Sequence, residues 1–245
     1  MVNHTLFDKW NETSAYILGF WLADGNIALD RKRPTDKHYF KKFSICNTDR
    51  QTIYMIGKIL GLTPRKRKRQ KPHYKLQYVI QIISDQLFDF CYAITKATNK
   101  SHNVLHIPNI PRNVFHHFVR GFFDGDGSIF YKHYRNRHGN LAQELGTSFT
   151  AGCDTGNFLT ELKNGIRHFI TVGDKQICKS KGIYKGNFAN GKGNLKLSFG
   201  QYDSALLCEW MYRDATLYMR RKKRIWDSAD KERLLNSKKF FSNKV

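Results

Sequence analysis

Two short runs of this chain are built mainly of apolar residues, and the segments around them switch between strand and helix periods. The first run is residues 15–27, Ala-Tyr-Ile-Leu-Gly-Phe-Trp-Leu-Ala-Asp-Gly-Asn-Ile. The second is residues 118–129, Phe-Val-Arg-Gly-Phe-Phe-Asp-Gly-Asp-Gly-Ser-Ile. Each holds an internal glycine and closes on Asp-Gly, a small polar residue and Ile, a repeat that sets the frame for everything else. The first is apolar on nearly every side, as a helix buried all round would be rather than one with a single buried stripe. Spanning a bilayer takes about twenty residues, and these runs are far shorter. Ser14 and Asn113 are candidate N-caps, and Gly25 and Gly127 candidate left-handed C-terminal stops. Gly19 and Gly121 remove side-chain bulk where another backbone could approach. The two helices are therefore expected to pack on each other, running the same way and ending side by side.

After the first run, Ile27, Ala28 and Leu29, a basic turn at Arg31, Lys32, Arg33 and Pro34, and the strand-like residues 39–46 read as a hairpin. Asp49 caps a helix over residues 51–60 with an apolar stripe of Ile53, Ile56, Ile59 and Leu60, and Gly61 ends it. A second hairpin runs from the basic residues 65–71 through Pro72 to residues 75–82. There Leu76, Tyr78, Ile80 and Ile82 alternate against Lys75, Gln77, Val79 and Gln81, giving a core face and a face of long polar side chains. A helix over 85–95 closes the half. The second half repeats the plan: a hairpin of 129–135 and 142–151, a helix over 157–169, and strands at 175–184 and 194–199 joined by a glycine-rich segment. Helices follow near 204–212 and from Asp214 into the basic residues 220–224.

Residues 1–105 thus form one half and 114–245 the other, joined by a linker at 106–113 in which Pro108 and Pro111 forbid regular structure. The prediction is an α+β fold of two αββαββα halves related by a pseudo-twofold axis. Their curved antiparallel sheets form a saddle, with the motif helices packed at the centre.

Charge sharpens the picture. With 42 Lys+Arg against 20 Asp+Glu the formal net charge is +22, a surplus suited to nucleic-acid phosphate. No lipidation signal or long basic amphipathic helix points to a membrane, and the first residues lack the pattern of a signal peptide. Cys46, Cys91, Cys153, Cys178 and Cys208 have neither zinc-ligand nor redox spacing and read as free thiols of a reducing, intracellular compartment: a bacterial or phage-host cytoplasm, or an organelle matrix. The histidines form no evident ligand cluster, and His116-His117 reads as an exposed pair.

Asp24 and Asp126 fall at helix C-termini, where the macrodipole disfavours a carboxylate, and bringing the two together adds repulsion. A divalent cation relieves both, and oxygen ligands with retained water suit Mg²⁺, with Mn²⁺ as the substitute. One Asp-Gly pair need only turn a chain; two in matching contexts imply a shared site. Basic hairpin tips with Tyr39, Tyr74, Tyr78, Tyr131, Tyr134 and Tyr184 among them suit the major groove, where Arg and Gln read base edges and Lys neutralises phosphate. The candidate DNA contacts are Arg31, Arg33, Lys41, Arg65, Arg67, Arg69, Lys75, Gln77, Gln81, Lys132, Tyr134, Arg135, Arg137, Lys179, Lys181, Lys185, Lys192 and Lys196.

The two runs resemble the paired motifs of LAGLIDADG homing endonucleases in their single-chain form. Residues 122–127, Phe-Phe-Asp-Gly-Asp-Gly, match that pattern closely, while the first copy has Leu22 where the first acidic residue often stands. The resemblance spans essentially the whole chain. It implies a monomer that cuts both strands of double-stranded DNA at a long asymmetric site with a divalent metal. Asp24 and Asp126 would be the metal-binding acids, with the carbonyls of Ala23 and Gly125 as further ligands. It also implies catalytic lysines, at Lys100 and Lys222, and a solvent-organising polar residue on each second strand. There Cys46 or Asn47, and Ala151 or Gly152, stand nearby, so that role is absent or moved. Free-standing or intron-encoded origin fits better than an intein remnant. The alternative is an RNA-splicing maturase, binding its own intron RNA, or a non-cleaving DNA-binding regulator on the same fold.

Overall fold

The computed structural model describes residues 2–31, 35, 37–67, 72–96, 98, 105–152, 157–179 and 193–236. The first half runs α1 (Glu12–Asp24), β1 (Gly25–Asp30), β2 (Phe40–Asn47), α2 (Arg50–Leu60), β3 (Arg65–Arg67), β4 (Gln77–Ile83) and α3 (Asp85–Thr95). The second runs α4 (Phe115–Asp126), β5 (Gly127–Arg135), β6 (Leu141–Gly152), α5 (Phe158–Phe169), β7 (Ile177–Lys179), β8 (Asn194–Phe199) and α6 (Gln201–Tyr212), followed by α7 (Arg220–Asp227) and α8 (Lys231–Asn236). Each half carries one four-stranded antiparallel sheet, in the orders β1-β2-β4-β3 and β5-β6-β8-β7. The expected α+β plan and element order are therefore present in both halves.

The two motif helices make the core. Residues 14–22 of α1 are buried without interruption, which explains why no apolar stripe can be drawn on it. A Cβ added to Gly19 would lie 2.0 Å from the carbonyl oxygen of Phe118, and one added to Gly121 would lie 2.0 Å from that of Tyr16. These reciprocal clashes show two parallel helices whose backbones touch at matched glycines, the close approach expected of them.

Three local expectations are corrected. Asn11, not Ser14, caps α1; Ser14 completes the capping box from inside, its hydroxyl accepting from the Asn11 amide. Asn113 lies in a 3₁₀ turn and caps nothing, since α4 begins at Phe115 without a side-chain cap. Gly25 and Gly127 are extended, with φ of −93° and −90°, not left-handed. Their reason is room: a Cβ would meet the Trp21 ring at 2.0 Å and the Phe123 ring at 2.3 Å.

Residues 213–219 also depart from the helix expected from Asp214 onward, because α1 and α4 hold them in another shape. Glu12 accepts from the Thr216 and Leu217 amides and the Thr216 hydroxyl. Buried Arg120 binds Glu12 at 2.7 Å and donates to the carbonyls of Leu217 and Met211, so its charge is fully partnered. Asp124 accepts from the Tyr16 hydroxyl at 2.9 Å and the Met219 amide at 2.7 Å. Helix α7 starts only after this anchor. No helix among the described residues is long and apolar enough to cross a membrane.

Candidate metal and nucleic-acid site

The parallel register of α1 and α4 brings their C-terminal ends together. A Cβ on Gly125 would lie 2.2 Å from that of Ala23 and 3.2 Å from Oδ2 of Asp24. The Asp24 carboxylate therefore abuts the residue that precedes Asp126. Asp24 is half-buried and Asp126 exposed, so both stay open to solvent and to a ligand. Ala23 and Gly125, the expected carbonyl ligands, sit between them at the helix contact.

Asn47, at the end of β2, donates from Nδ2 to Asp24 Oδ2 at 2.5 Å. The polar residue left open between Cys46 and Asn47 is thus Asn47. Gly25 pairs with Ile45 and Gly127 with Phe149, so Ala151 takes the position of Asn47. The alanine side chain cannot donate to Asp126 as Asn47 does to Asp24.

Lys222 stands on the second side instead. Its ammonium is buried and donates to the carbonyls of Phe123 at 2.5 Å, Asp124 at 2.9 Å and Gly127 at 2.6 Å. A cation here caps the negative end of α4 and fixes the backbone on both sides of Asp126. Burial pushes the ammonium down to about 8, against the pull of Asp124, Asp126 and Asp24. With all three N–H bonds on backbone carbonyls, Lys222 acts through the segment it holds. Asp124 is fully buried, and that burial raises its pKa, opposed by Lys222, the Met219 amide and the Tyr16 hydroxyl. Where the first half has Leu22, the second has Asp124, and the Tyr16 hydroxyl and Met219 amide partner its carboxylate. Lys100 lies outside the described residues.

Of the expected DNA contacts, Arg33, Arg69, Lys181, Lys185 and Lys192 also lie outside the described residues. The others divide by sheet face. In the first sheet Phe43, Ile45 and Ile80 face the helices. Strand alternation then puts Arg65, Arg67, Gln77 and Gln81 on the opposite face, where Arg67 reaches Cys46 Sγ at 3.8 Å. In the second sheet Lys132, Tyr134 and Lys196 share the outward face with Ser128 and Phe130. Arg31 lies over the Tyr39 ring beside the first hairpin, and exposed Arg137 and Arg135 lie at the second, where Arg135 donates to the Gly139 carbonyl.

Two residues do not belong with these. Lys41 sits on the helix side of its sheet and pairs with Asp89 of α3 at 2.6 Å. Lys179 is opposite Leu195, on the core-facing side of its strand pair. Alternation explains both, because neither has the parity of its polar neighbours. Lys75 lines a cavity of about 600 Å³ with Thr48, Asp49, Arg50, Leu76, Tyr78 and Arg221, at the edge of the site.

His116, His117 and Asp214 come together, against the expectation of scattered histidines and an exposed pair. His117 is buried, and burial followed by the Arg120 charge pulls it down to about 4. Arg120 donates to His117 Nδ1 at 2.8 Å, so the ring proton sits on Nε2 and a guanidinium guards the cluster. This arrangement repels a cation. Cys46, Cys91, Cys178 and Cys208 are free thiols, as expected; Cys153 lies outside the described residues.

No protein-family model and no curated protein matches the sequence. Solved structures do. I-SmaMI bound to uncleaved DNA target in the presence of calcium ions aligns with a TM-score of 0.61 and 14% identity, over 94% of this chain and 92% of that one. The I-LtrWI LAGLIDADG homing endonuclease bound to target DNA aligns with a TM-score of 0.58 and 13% identity, over 97% and 92%. I-SmaMI bound to cleaved DNA aligns with a TM-score of 0.57 and 14% identity, over 89% and 87%. The fold of this chain is that of the single-chain LAGLIDADG homing endonucleases, motif helices included.

Proposed function

We propose that this chain is a monomeric, site-specific DNA endonuclease that hydrolyses one phosphodiester in each strand of a long asymmetric duplex target. The observation that carries the reading is the close approach of Gly125, the neighbour of Asp126, to Ala23 and Asp24 at the shared end of two helices in backbone contact. Two carboxylates gathered at two negative helix ends are unfavourable in a protein that only binds. The donor set, two carboxylates with the carbonyls of Ala23 and Gly125, consists of hard oxygens and fits Mg²⁺ or Mn²⁺. The chemistry such a cation supplies when bound is a more acidic water and neutralised charge on the leaving 3′ oxygen.

The chain's own residues do the rest. Asn47 orients the Asp24 carboxylate, and Lys222 fixes the backbone that presents Asp126. Lys100 is proposed to face the reacting phosphate of the first half. Arg65, Arg67, Gln77 and Gln81 from one sheet, and Lys132, Tyr134 and Lys196 from the other, lie against the grooves and backbone on the two flanks. Unlike half-sites follow from unlike halves, because site symmetry mirrors protein symmetry.

The test incubates the protein and Mg²⁺ with a pool of plasmids carrying randomised inserts, and recovers linear product. A single recurrent asymmetric insert cut by the parent, and left intact by Asp126→Asn, supports the reading. Duplex binding with no linear product at any Mg²⁺ concentration contradicts it.

A further inference from the structure

The outward face of the second sheet carries one large apolar side chain among cations. Phe130 in β5 is 39% exposed, on the side of the strand that also bears Ser128, Lys132 and Tyr134. It pairs across to Gly146, and a Cβ on that glycine would meet the Phe130 ring at 2.9 Å. The ring therefore lies over a bare backbone with part of its surface still open to solvent. Lys196 Nζ stands 5.7 Å from its centroid, and Lys132 Nζ stands 5.9 Å from that of Tyr134. At the equivalent place in β1 the first half has Ala28. Covering Gly146 uses part of the ring; the exposed part, with Lys196 beside it and Lys132 one pleat along, complements a groove edge that is apolar at one point and anionic around it.

We propose that Phe130 reads a thymine, by contact with the C5-methyl group that this base alone presents in the major groove of unmodified DNA. The proposal rests on the nuclease reading above and adds one base preference to it. Position along the strand locates the base. Phe130 is four residues beyond Asp126, about 13 Å at 3.3 Å per residue. At about 3.4 Å per step of duplex, the thymine falls about four base pairs from the cut made in the second half.

The probe is the duplex recovered by binding of the full chain to a randomised library, with each thymine replaced in turn by deoxyuridine, which lacks only the methyl. One thymine, about four base pairs from the second-half cut, is expected to bind about fourfold more weakly as deoxyuridine, the worth of one buried methyl-sized group. Phe130→Ala, checked for unchanged thermal unfolding, is expected to bind the thymine and deoxyuridine duplexes equally, and Phe130→Met to keep the preference. Indifference of the parent to every replacement in that half-site overturns the proposal, and so does a preference that survives in Phe130→Ala. In both cases the recovered duplex leaves the nuclease reading standing. Recovery of no duplex at all would overturn that reading, and this proposal with it.

Discussion

At the scale of single residues, Asp24 and Asp126, the proposed metal-binding acids, have different company, and that difference is measurable. Asn47 holds Asp24 through one hydrogen bond, while Ala151, at the equivalent place in the second half, has a side chain that cannot donate. A residue that orients a metal-ligating carboxylate is worth about 10–100-fold in affinity or activity. Asn47→Ala is therefore expected to slow cutting of one strand by about that factor while the other strand is cut normally, and nicked circles should accumulate on a supercoiled target. The acids themselves were legible in the sequence because Asp-Gly recurs in matching surroundings. Cys46 and Asn47 fit the same spacing, and only the register of β2, which puts Asn47 on the face of Phe43 and Ile45, decides between them. Lys222 stood among many lysines, and its burial beneath α4 has no sequence signal.

A second residue-level prediction concerns pH. His117 is buried neutral and held near 4, below the ordinary histidine value of 6.5. Between those values the unfolded chain binds the proton that the folded chain refuses, so stability rises with pH across that window. This contribution is complete above about pH 6.5 and is lost as pH falls toward 4. Replacing His117 with Gln should flatten that part of a denaturation profile, read from urea midpoints at pH 4.5 and 7.

At the scale of elements, the contact between α1 and α4 decides where the chemistry sits. Gly121→Ala would drive a methyl into the Tyr16 carbonyl, against backbone that has no rotamer with which to yield. A cost of about 3 kcal/mol or more is expected, together with loss of cutting, because the carboxylates separate when the helices do. Unfolding and cleavage assays on one preparation check both. The close approach at Gly19 and Gly121 could be read from the sequence, since a glycine inside an apolar helix needs such a reason. Gly25 and Gly127 stand where the sequence puts them but for another reason: a helix-ending glycine suggests a left-handed turn, and the ring folded back over it leaves no trace in local pattern. Helix α7 began late for a longer-range reason. Glu12 fixes Thr216 from 204 residues away along the chain, and no window on the sequence holds both partners.

At the scale of the whole molecule, strand periods predict two antiparallel sheets and the sequence of their strands along the chain, while the order within each sheet comes from long-range pairing. The sorting of basic residues by face was only partly legible, as Lys41 and Lys179 show: composition marks a hairpin as basic, and only register says which side each charge takes. With +22 formal charges, duplex binding should depend steeply on salt. Six to ten phosphate contacts would cost about 10³–10⁵ in affinity between 50 and 200 mM salt, and titrating a labelled duplex at four salt concentrations measures it. On the proposed reading, two matched halves present one shared acidic centre on a basic, groove-reading surface. The measurement that reaches this most directly pairs cleavage with binding for Asp24→Asn and Asp126→Asn on the recovered duplex. Loss of linear product in both variants, with duplex affinity kept within a few-fold of the parent, is the predicted result. Full double-strand cutting by either variant would contradict it.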